Sequence, residues 1–310
     1  MQLSIVTPLY NSAPYLRKFY ERIRAAAANL TPDFEIVLVN DGSADDSLEI
    51  ALSIHEQDYR VRVIDLSRNF GQHKAMMTGL ANARGDLVFL IDSDLEEPPE
   101  LLETFWNTLL PSDADVVYGV QNSRKGHFFE RVSGNLFYTL LNLFSNYPIP
   151  ANVVTARLMR SEYVRSLVQH RDREIFIGGL WAITGFRQLA LPVVKSSKGQ
   201  STYTLPRKVA LLVNSITSFS SLPLLYIFYL GCAIISLAGL GGLYLIVQRL
   251  FFGVFLSGWL SVMTSLWFLG GLTIFCIGLI GIYLSKIFME VKDRPYTVIR
   301  KVYERSGGPG

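Results

Sequence analysis

Residues 87–100 read Leu-Val-Phe-Leu-Ile-Asp-Ser-Asp-Leu-Glu-Glu-Pro-Pro-Glu, a short apolar run followed at once by carboxylates. The apolar part, Leu87–Ile91, is rich in branched and aromatic residues and predicts a β-strand. A helical pattern, Pro99–Leu110, begins where the acidic residues end. This stretch therefore predicts a strand, a loop that carries carboxylates and a helix in succession.

The same alternation of strands and helices runs through the first 120 or so residues. Further β-rich runs are Leu3–Thr7, Glu35–Val39, Val61–Asp65 and Val116–Tyr118. Helical patterns lie between them at Ala13–Leu30, Ala44–Asp58 and His73–Ala83. Ser12 is expected to cap the first helix. Such alternation predicts an α/β fold with a mostly parallel sheet covered by helices.

Carboxylates gather where the predicted strands end. In sheets of this kind, ligands bind beyond the carboxyl ends of the strands. The acidic residues expected at that edge are Asp41, Asp92, Asp94 and Glu96. They repel one another unless a cation is present, and Asp-x-Asp suits a hard divalent ion that also binds phosphate oxygens. The spacing therefore predicts a nucleotide diphosphate held by carboxylates and a metal.

Other kinds of site are excluded by missing motifs and by composition. The chain has no Gly-x-Gly-x-x-Gly, no Gly-x-x-x-x-Gly-Lys-Ser/Thr and no zinc-ligand spacing, which argues against NAD, P-loop and zinc chemistry. A net charge of +3 is too small to indicate nucleic acid as a partner. Two cysteines, both in the apolar C-terminal region, predict no disulfide framework, and the N-terminus has no signal-peptide pattern.

The C-terminal third is strongly apolar, although only half of the whole chain is apolar and 18% of it is charged. Leu224–Val247 and Val262–Ser285 are uncharged, and each could reach about 36 Å as a helix, enough to cross a membrane core of about 30 Å. Basic residues flank the pair, which predicts a two-helix transmembrane hairpin with the catalytic domain and both termini in the cytoplasm, at the inner (plasma) membrane. Neither span has an ionisable residue at its centre, which argues against a transporter.

Two amphipathic stretches are expected at the membrane interface, at about 128–144 and at 204–221. For the first, a helix that packs in the core is nearly as good an interpretation. The domain boundaries that follow are 1–203 for the α/β domain, 204–221 for a juxtamembrane helix, 222–285 for the spans and 286–310 for a basic tail.

The chain resembles family-2 glycosyltransferases with a GT-A fold. Within them it is similar to the polyisoprenyl-phosphate glycosyltransferases, which include dolichol-phosphate mannose synthase and bacterial undecaprenyl-phosphate sugar transferases. The matching segments are Val6–Asn11, Val39–Ser43, Arg68–Ala75, Gly85–Asp86 and Asp92–Glu100. Two C-terminal spans also match the bacterial members. The resemblance implies inverting transfer of a sugar to polyprenyl phosphate at the cytoplasmic membrane face.

The resemblance also implies roles for individual residues. Contacts to the nucleotide sugar, with a UDP-linked donor favoured over a GDP-linked one, fall on Pro8, Tyr10, Asn11, Asp41, Asn69 and Lys74. Asp92 would lie beside the diphosphate, while Asp94 and Glu96, with Asp92, would hold Mg²⁺ or Mn²⁺. Arg124 and Arg131 would receive the lipid phosphate. Homo-oligomers, tetramers among them, are implied in the same way.

The chain departs from the family pattern at several positions. Glu96 stands where relatives carry Gln, and no acidic residue precedes Arg157-Leu158. A phosphate-binding arginine is missing near Ser196, where Lys195 or Lys198 is expected to substitute as a point charge.

Two other functions stay open at this point. One is transfer to a hydroxyl of a glycolipid or polysaccharide, with Glu174 as the best candidate base. The other is a catalytically silent scaffold of the same fold.

Overall fold

The computed structural model describes residues 2–121, 152–172, 175–194, 217, 222–252 and 258–305. The described residues group into two compact units. The first holds the chain up to Val194 together with the segment from Arg294 onward. The second holds two long C-terminal helices.

The first unit is built on one sheet, which has eight strands within the described residues. The strands are β1 Leu3–Leu9, β2 Phe34–Asn40, β3 Val61–Leu66, β4 Leu87–Leu90, β5 Val116–Gln121, β6 Val153–Arg160, β7 Gln188–Val193 and β8 Ile299–Tyr303. The helices are α1 Ala13–Leu30, α2 Ser47–Gln57, α3 Gln72–Ala81, α4 Leu101–Leu109, α5 Ser161–Leu167 and α6 Ile177–Ile183, followed by α7 Leu222–Phe252 and α8 Trp259–Val291 in the second unit.

The central strands form the parallel sheet that the sequence predicts. The order across the sheet is β7-β5-β6-β4-β1-β2-β3-β8, and β4, β1, β2 and β3 run parallel. Every residue of these four strands is buried, as expected for a sheet covered on both faces. Helix α1 contributes to the core with one apolar face that includes Leu16, Phe19 and Ile23.

The strand order places a crevice at the carboxyl end of the sheet. The chain moves from β1 to β2 and β3 in one direction and then returns to place β4 on the other side of β1. Loops that leave β1 and β4 therefore diverge, and a crevice opens between them, which is where open α/β sheets bind their ligands. Asp92 and Asp94 follow β4 directly at this crevice.

The C-terminal segment differs from the predicted basic tail over 286–310. Ile299–Tyr303 forms β8, which pairs antiparallel with β3 and covers that edge of the sheet. Behind it, Glu304 accepts a hydrogen bond from the Nε of Arg62 at 3.1 Å, and Arg62 also donates to Glu35 at 2.8 Å. An edge strand left unpaired is prone to association, so the pairing has a clear physical benefit. The strand is only five residues long and its polar and apolar residues do not alternate, so sequence analysis did not predict it.

The second unit supports the membrane prediction in part. Within the described residues, one helical segment, Ser265–Val291, is long and apolar enough to cross a membrane, and none of its most apolar window is buried. The strongly apolar part of α7 is Leu222–Ala238, which is too short to cross a membrane by the same criterion. The two predicted spans at 224–247 and 262–285 thus fall within helices, but a transmembrane hairpin is not established. The predicted interfacial stretches at 128–144 and 204–221 lie outside the described residues, apart from Thr217.

Candidate active site

The loops that follow β1 and β2 are tied to each other at the crevice. Asn11 adopts a φ of 51°, its backbone N–H donates to the Oγ of Ser43 at 3.2 Å, and its Oδ1 accepts from the N–H of Ala44 at 3.1 Å. Pro8 is buried, whereas Tyr10 is 53% exposed above the crevice. The aromatic ring of Tyr10 is therefore available to stack on a planar ligand group.

Ser12 does not cap α1 with its side chain, contrary to expectation. Its Oγ instead accepts from the backbone N–H of Tyr10 at 3.2 Å and from the hydroxyl of Ser93 at 2.9 Å. The hydroxyl therefore joins the loop after β1 to the loop after β4, across the crevice.

Asp41 holds the loop that follows β3. Its two carboxylate oxygens accept the backbone N–H groups of Phe70 at 2.7 Å and Gly71 at 2.9 Å, and the residue is only 1% exposed. Burial raises the pKa of this carboxyl above its ordinary value, although the two N–H groups, Arg68 and Lys74 oppose that rise. Asp41 thus acts here as an anchor for the loop.

Gly42 lets the two loops touch. It has a φ of +61°, and a Cβ added there would lie 2.5 Å from backbone atoms of both Arg68 and Asn69. Only glycine fits this position without moving the loop. The backbones after β2 and β3 are therefore in direct contact, which places Asn69 at the crevice edge.

Asp92 links three elements at the end of β4. Its carboxylate accepts from the Nε2 of Gln72 at 2.8 Å and from the Oγ1 of Thr155 at 2.8 Å. Asp94 lies in the following turn, where its Oδ1 accepts the backbone N–H of Glu96 at 3.0 Å. The intervening turn places Leu95 at a φ of 62°. Both aspartates are partly exposed and project from a rigid turn.

Glu97 fixes β6 against this turn. Its carboxylate accepts the backbone N–H groups of Thr155 at 3.1 Å and Ala156 at 2.7 Å, and only 1% of the residue is exposed. Because Thr155 in turn donates to Asp92, the position of Asp92 depends on Glu97.

A cavity of about 450 Å³ lies beside Asp92, between the start of α3, β6 and α6. Its lining includes Gln72, His73, Thr155, Arg157, Phe176 and Trp181. The volume falls in the range of small-molecule sites, and aromatic and polar groups alternate in the wall. The indole nitrogen of Trp181 is shielded from solvent and has no hydrogen-bond partner within the described ranges. A buried N–H without an acceptor is unusual and costly.

His73 presents a defined polar group to the cavity. Its Nδ1 lies 3.0 Å from the carbonyl oxygen of Ile175, which can only accept, so Nδ1 carries the proton and Nε2 is an acceptor. Burial lowers the pKa of this imidazole below its ordinary value, against the opposing influence of Asp92. His73 is therefore a neutral hydrogen-bonding group at pH 7.

Arg157 forms the floor of the cavity. It is 1% exposed, and its guanidinium lies over the ring of Trp181 while its Nε donates to the carbonyl of Thr155 at 3.3 Å. Burial lowers the pKa of Arg157 to about 9 and raises that of its neighbour Tyr163 to about 12. Arginine remains charged at neutral pH and makes this end of the cavity positive.

The carboxylates are chemically suited to a divalent cation, but they do not by themselves form a complete metal site. Among the described residues, no three His, Cys, Asp or Glu side chains are grouped to hold a metal, so Asp92, Asp94 and Glu96 do not form a ready three-ligand site. Mg²⁺ commonly takes one or two carboxylates and completes its shell with water and substrate phosphates. The all-oxygen donor set at this turn suits that mode.

The structure brings together most of the predicted site residues at one edge of the sheet. These are Pro8, Tyr10, Asn11, Asp41, Asn69, Lys74, Asp92, Asp94 and Glu96. The predicted residues Arg124, Arg131, Lys195 and Lys198, and the alternative base Glu174, lie outside the described residues. Their placement stays a prediction.

Sequence analysis missed the cavity side of the site. The residues concerned are Gln72, His73, Glu97, Thr155, Arg157 and Trp181. Gln72 and His73 lie within a quoted motif, so proximity in sequence could have identified them. Thr155 and Arg157 reach the site through the antiparallel pairing of β6 with β4, and Trp181 reaches it from α6.

Comparison with known proteins identifies relatives of the whole chain. Residues 4–168 match Glycosyl transferase family 2. A protein of Mycobacterium tuberculosis (strain CDC 1551 / Oshkosh) grouped with the glycosyltransferases is 55% identical over 98% of this chain and 89% of its own length. The SfII prophage-derived bactoprenol glucosyl transferase of Shigella flexneri is 32% identical over 97% of this chain and 98% of its own length.

A solved structure agrees in fold. Glucosyl-3-phosphoglycerate synthase from Mycobacterium tuberculosis, in complex with Mn²⁺, UDP-glucose and phosphoglyceric acid, aligns with a TM-score of 0.51 at 18% identity. The alignment covers 70% of this chain and 79% of that chain. At this identity the likeness establishes the architecture, a GT-A fold, and nothing of the substrate.

Proposed function

The chain belongs to glycosyl transferase family 2, and from that premise we propose that it transfers a hexosyl group from a nucleoside diphosphate sugar to polyprenyl phosphate. The observation that carries this proposal is the crevice beyond β1 and β4, where Asp92 accepts hydrogen bonds from Gln72 and Thr155 in the wall of a cavity of about 450 Å³ and Asp94 follows in the same turn. Full-length similarity to bactoprenol glucosyl transferases supports a polyprenyl phosphate as acceptor.

The donor would lie across the crevice, with its nucleoside above the loops after β1 and β2. Tyr10 offers an exposed ring to the base, and the loop held by Asp41 offers Asn69 and Arg68 to the ribose and phosphates. Asp94, with Asp92 or Glu96, would hold Mg²⁺ or Mn²⁺. The ion would neutralise charge on the leaving diphosphate.

The acceptor phosphate is already anionic, so it needs positioning more than a general base. One of its oxygens attacks the anomeric carbon from the face opposite the diphosphate. The new C–O bond forms as the bond to the diphosphate breaks, so the configuration inverts and a nucleoside diphosphate leaves. We assign the acceptor phosphate to Arg124, Arg131 and Lys195 or Lys198 as the sequence predicts.

The catalytic domain and tail are proposed to face the cytoplasm. Because β8 pairs with β3, the chain before α7 and the chain after α8 belong to one sheet and lie on one side of any membrane. The intervening residues therefore cross it an even number of times, which supports a hairpin over 222–285. The boundaries at 203 and 221 and a homo-oligomeric, tetrameric state remain predictions.

The hexosyl group is proposed to enter the cavity and to turn the Trp181 side chain so that its shielded, unpaired N–H donates to a sugar hydroxyl. Trp181→Phe keeps an aromatic ring and removes only that donor. We expect the KM for the nucleotide sugar to rise about fivefold, the loss of one neutral hydrogen bond, with no change in affinity for the free nucleotide. Trp106→Phe on α4, outside the cavity lining, is the matched control and should leave both values unchanged.

The transfer itself is tested with the purified full chain in lipid nanodiscs. We expect radiolabel from UDP-glucose to pass to undecaprenyl phosphate with Mn²⁺ present and to stop when the ion is chelated. Calorimetric titration of UDP with and without Mn²⁺ gives a second readout that needs no acceptor. If the label is found on a glycolipid hydroxyl instead, the polyprenyl phosphate is not the acceptor. If the chain neither transfers the sugar nor binds UDP or GDP, it is a catalytically silent scaffold.

A further inference from the structure

The loop that follows β3 depends on residues from the far end of the chain. Here Ser67–Gly71 is called the donor loop, and Tyr296–Arg300, which follows α8, is called the brace. We propose that the brace positions the donor loop for nucleotide binding and that Arg300 is its main positioning residue. The inference rests on the proposed function only in naming the nucleotide as the ligand of the loop.

The brace holds both backbone groups of Ser67, where the donor loop begins. The N–H of Ser67 donates to the carbonyl of Val298 at 2.9 Å. The carbonyl of Ser67 accepts from the Nη2 of Arg300 at 2.7 Å. The pairing of β8 with β3 shifts register between Asp65 and Leu66 and continues only to the pair Leu66–Ile299, so these bonds extend the contact to Ser67.

Arg300 also connects the donor loop to two strand ends. Its Nη1 lies 3.3 Å from the Oδ2 of Asp65, whose Oδ1 accepts from Asn40 at 2.8 Å. The Asp65 side chain is 2% exposed, while that of Arg300 is 60% exposed. Arg300 therefore links the carbonyl of Ser67 to a buried carboxylate at the end of β3, which fixes the position at which the donor loop begins.

A second contact ties the brace to the helix that follows the donor loop. The Oγ1 of Thr297 lies 2.8 Å from the Oγ1 of Thr78 on α3, the helix that begins directly after Gly71. Asp41 binds the N–H groups of Phe70 and Gly71 from the opposite side. The donor loop is therefore clamped between Asp41 and the brace.

The arrangement leaves the middle of the loop available for a ligand. Arg68 is exposed, and its guanidinium stacks on the ring of Phe70 at 4.0 Å from the centroid. The brace lies well beyond residues 4–168, the part that matches the family. A nucleotide-binding loop is thus completed by a segment that the chain reaches only after its apolar helices.

The test compares Arg300→Ala with Arg305→Ala in the full chain in nanodiscs. Arg305 is a matched control, because it also donates to a backbone carbonyl, that of Glu56 at 2.6 Å, but touches no part of the donor loop. Amide hydrogen exchange is measured without ligand. We expect exchange of peptides covering 67–71 to quicken about tenfold in Arg300→Ala only, with melting temperatures of the two variants within a degree or two of each other.

Kinetics give the second readout. Arg300→Ala should raise the KM for the nucleotide sugar five- to tenfold and leave kcat within about twofold, and Arg300→Lys should recover part of the loss by bonding to one acceptor. Unchanged exchange in 67–71, or equal effects of the two alanine variants, would overturn the proposal. If the wild type binds UDP but transfers no sugar to the lipid, the acceptor assignment fails while the exchange result still decides the role of the brace.

Discussion

Replacing Asp94 with Asn should lower kcat/KM for the nucleotide sugar by about 100- to 1000-fold and leave the protein folded. Asp94 projects from the turn after β4 at the crevice, and its Oδ1 accepts the N–H of Glu96. Asn has the same shape and keeps an oxygen for that bond. What it lacks is the charge that would hold a divalent ion against the leaving diphosphate.

The control for this change is Asp113→Asn, at an exposed ion pair with Arg187. It removes one carboxylate charge from the same unit away from the crevice and should leave activity within twofold. Steady-state kinetics in Mn²⁺, circular dichroism and UDP titration are measured on both variants. Full activity in the Asp94 variant would contradict the proposed site, whereas restored activity at high Mn²⁺ would support a weakened ion site.

Replacing Glu97 with Ala should lower the free energy of unfolding by about 3 kcal/mol, because one buried and one partly buried N–H group lose their acceptors and a cavity remains. The carboxylate binds the backbone N–H groups of Thr155 and Ala156 within the interior. Activity should fall as well, since Thr155 would no longer hold Asp92 in place. Denaturant titration of the full chain in detergent measures the first effect, and turnover at a permissive temperature measures the second.

Two further variants isolate the cause. Glu97→Gln keeps one carbonyl oxygen and should lose only about half as much stability. Glu162→Ala removes an exposed carboxylate that pairs with Arg165 and should cost well under about 1 kcal/mol. If Glu97→Ala loses no more stability than Glu162→Ala, Glu97 does not hold β6 against the acidic turn.

The parallel half of the fold was predictable because its signals are local. Each of β1 to β4 is a largely apolar run that is buried on both faces and followed by a helical pattern, so residue spacing alone places them in order along the chain. Residues at their carboxyl ends, Asp41 and Asp92 among them, follow from that order. Their partners did not follow, because the hydrogen bond that the Gly71 N–H donates to Asp41 depends on how two loops meet.

The antiparallel half was harder for a physical reason. β6 and β8 reach the sheet through pairings between segments far apart in the chain, and short mixed strands carry little periodicity. Thr155, Arg157 and Trp181 could therefore be assigned to the site only from the three-dimensional structure. Glu97 was missed for another reason. Its neighbours in the acidic turn are partly exposed, and nothing in the sequence distinguishes the one carboxylate that turns inward.

The position of β8 at the end of the chain sets the order in which the enzyme can be completed during synthesis. Every strand that carries a crevice residue is translated before α7, yet β3 keeps an open edge until Ile299–Tyr303 emerges. The growing chain must therefore release two long apolar helices while its sheet is unfinished. A product that stops short of Ile299 would contain every predicted ligand of the nucleotide and the metal and would still expose the unpaired edge of β3, which is prone to association with other chains.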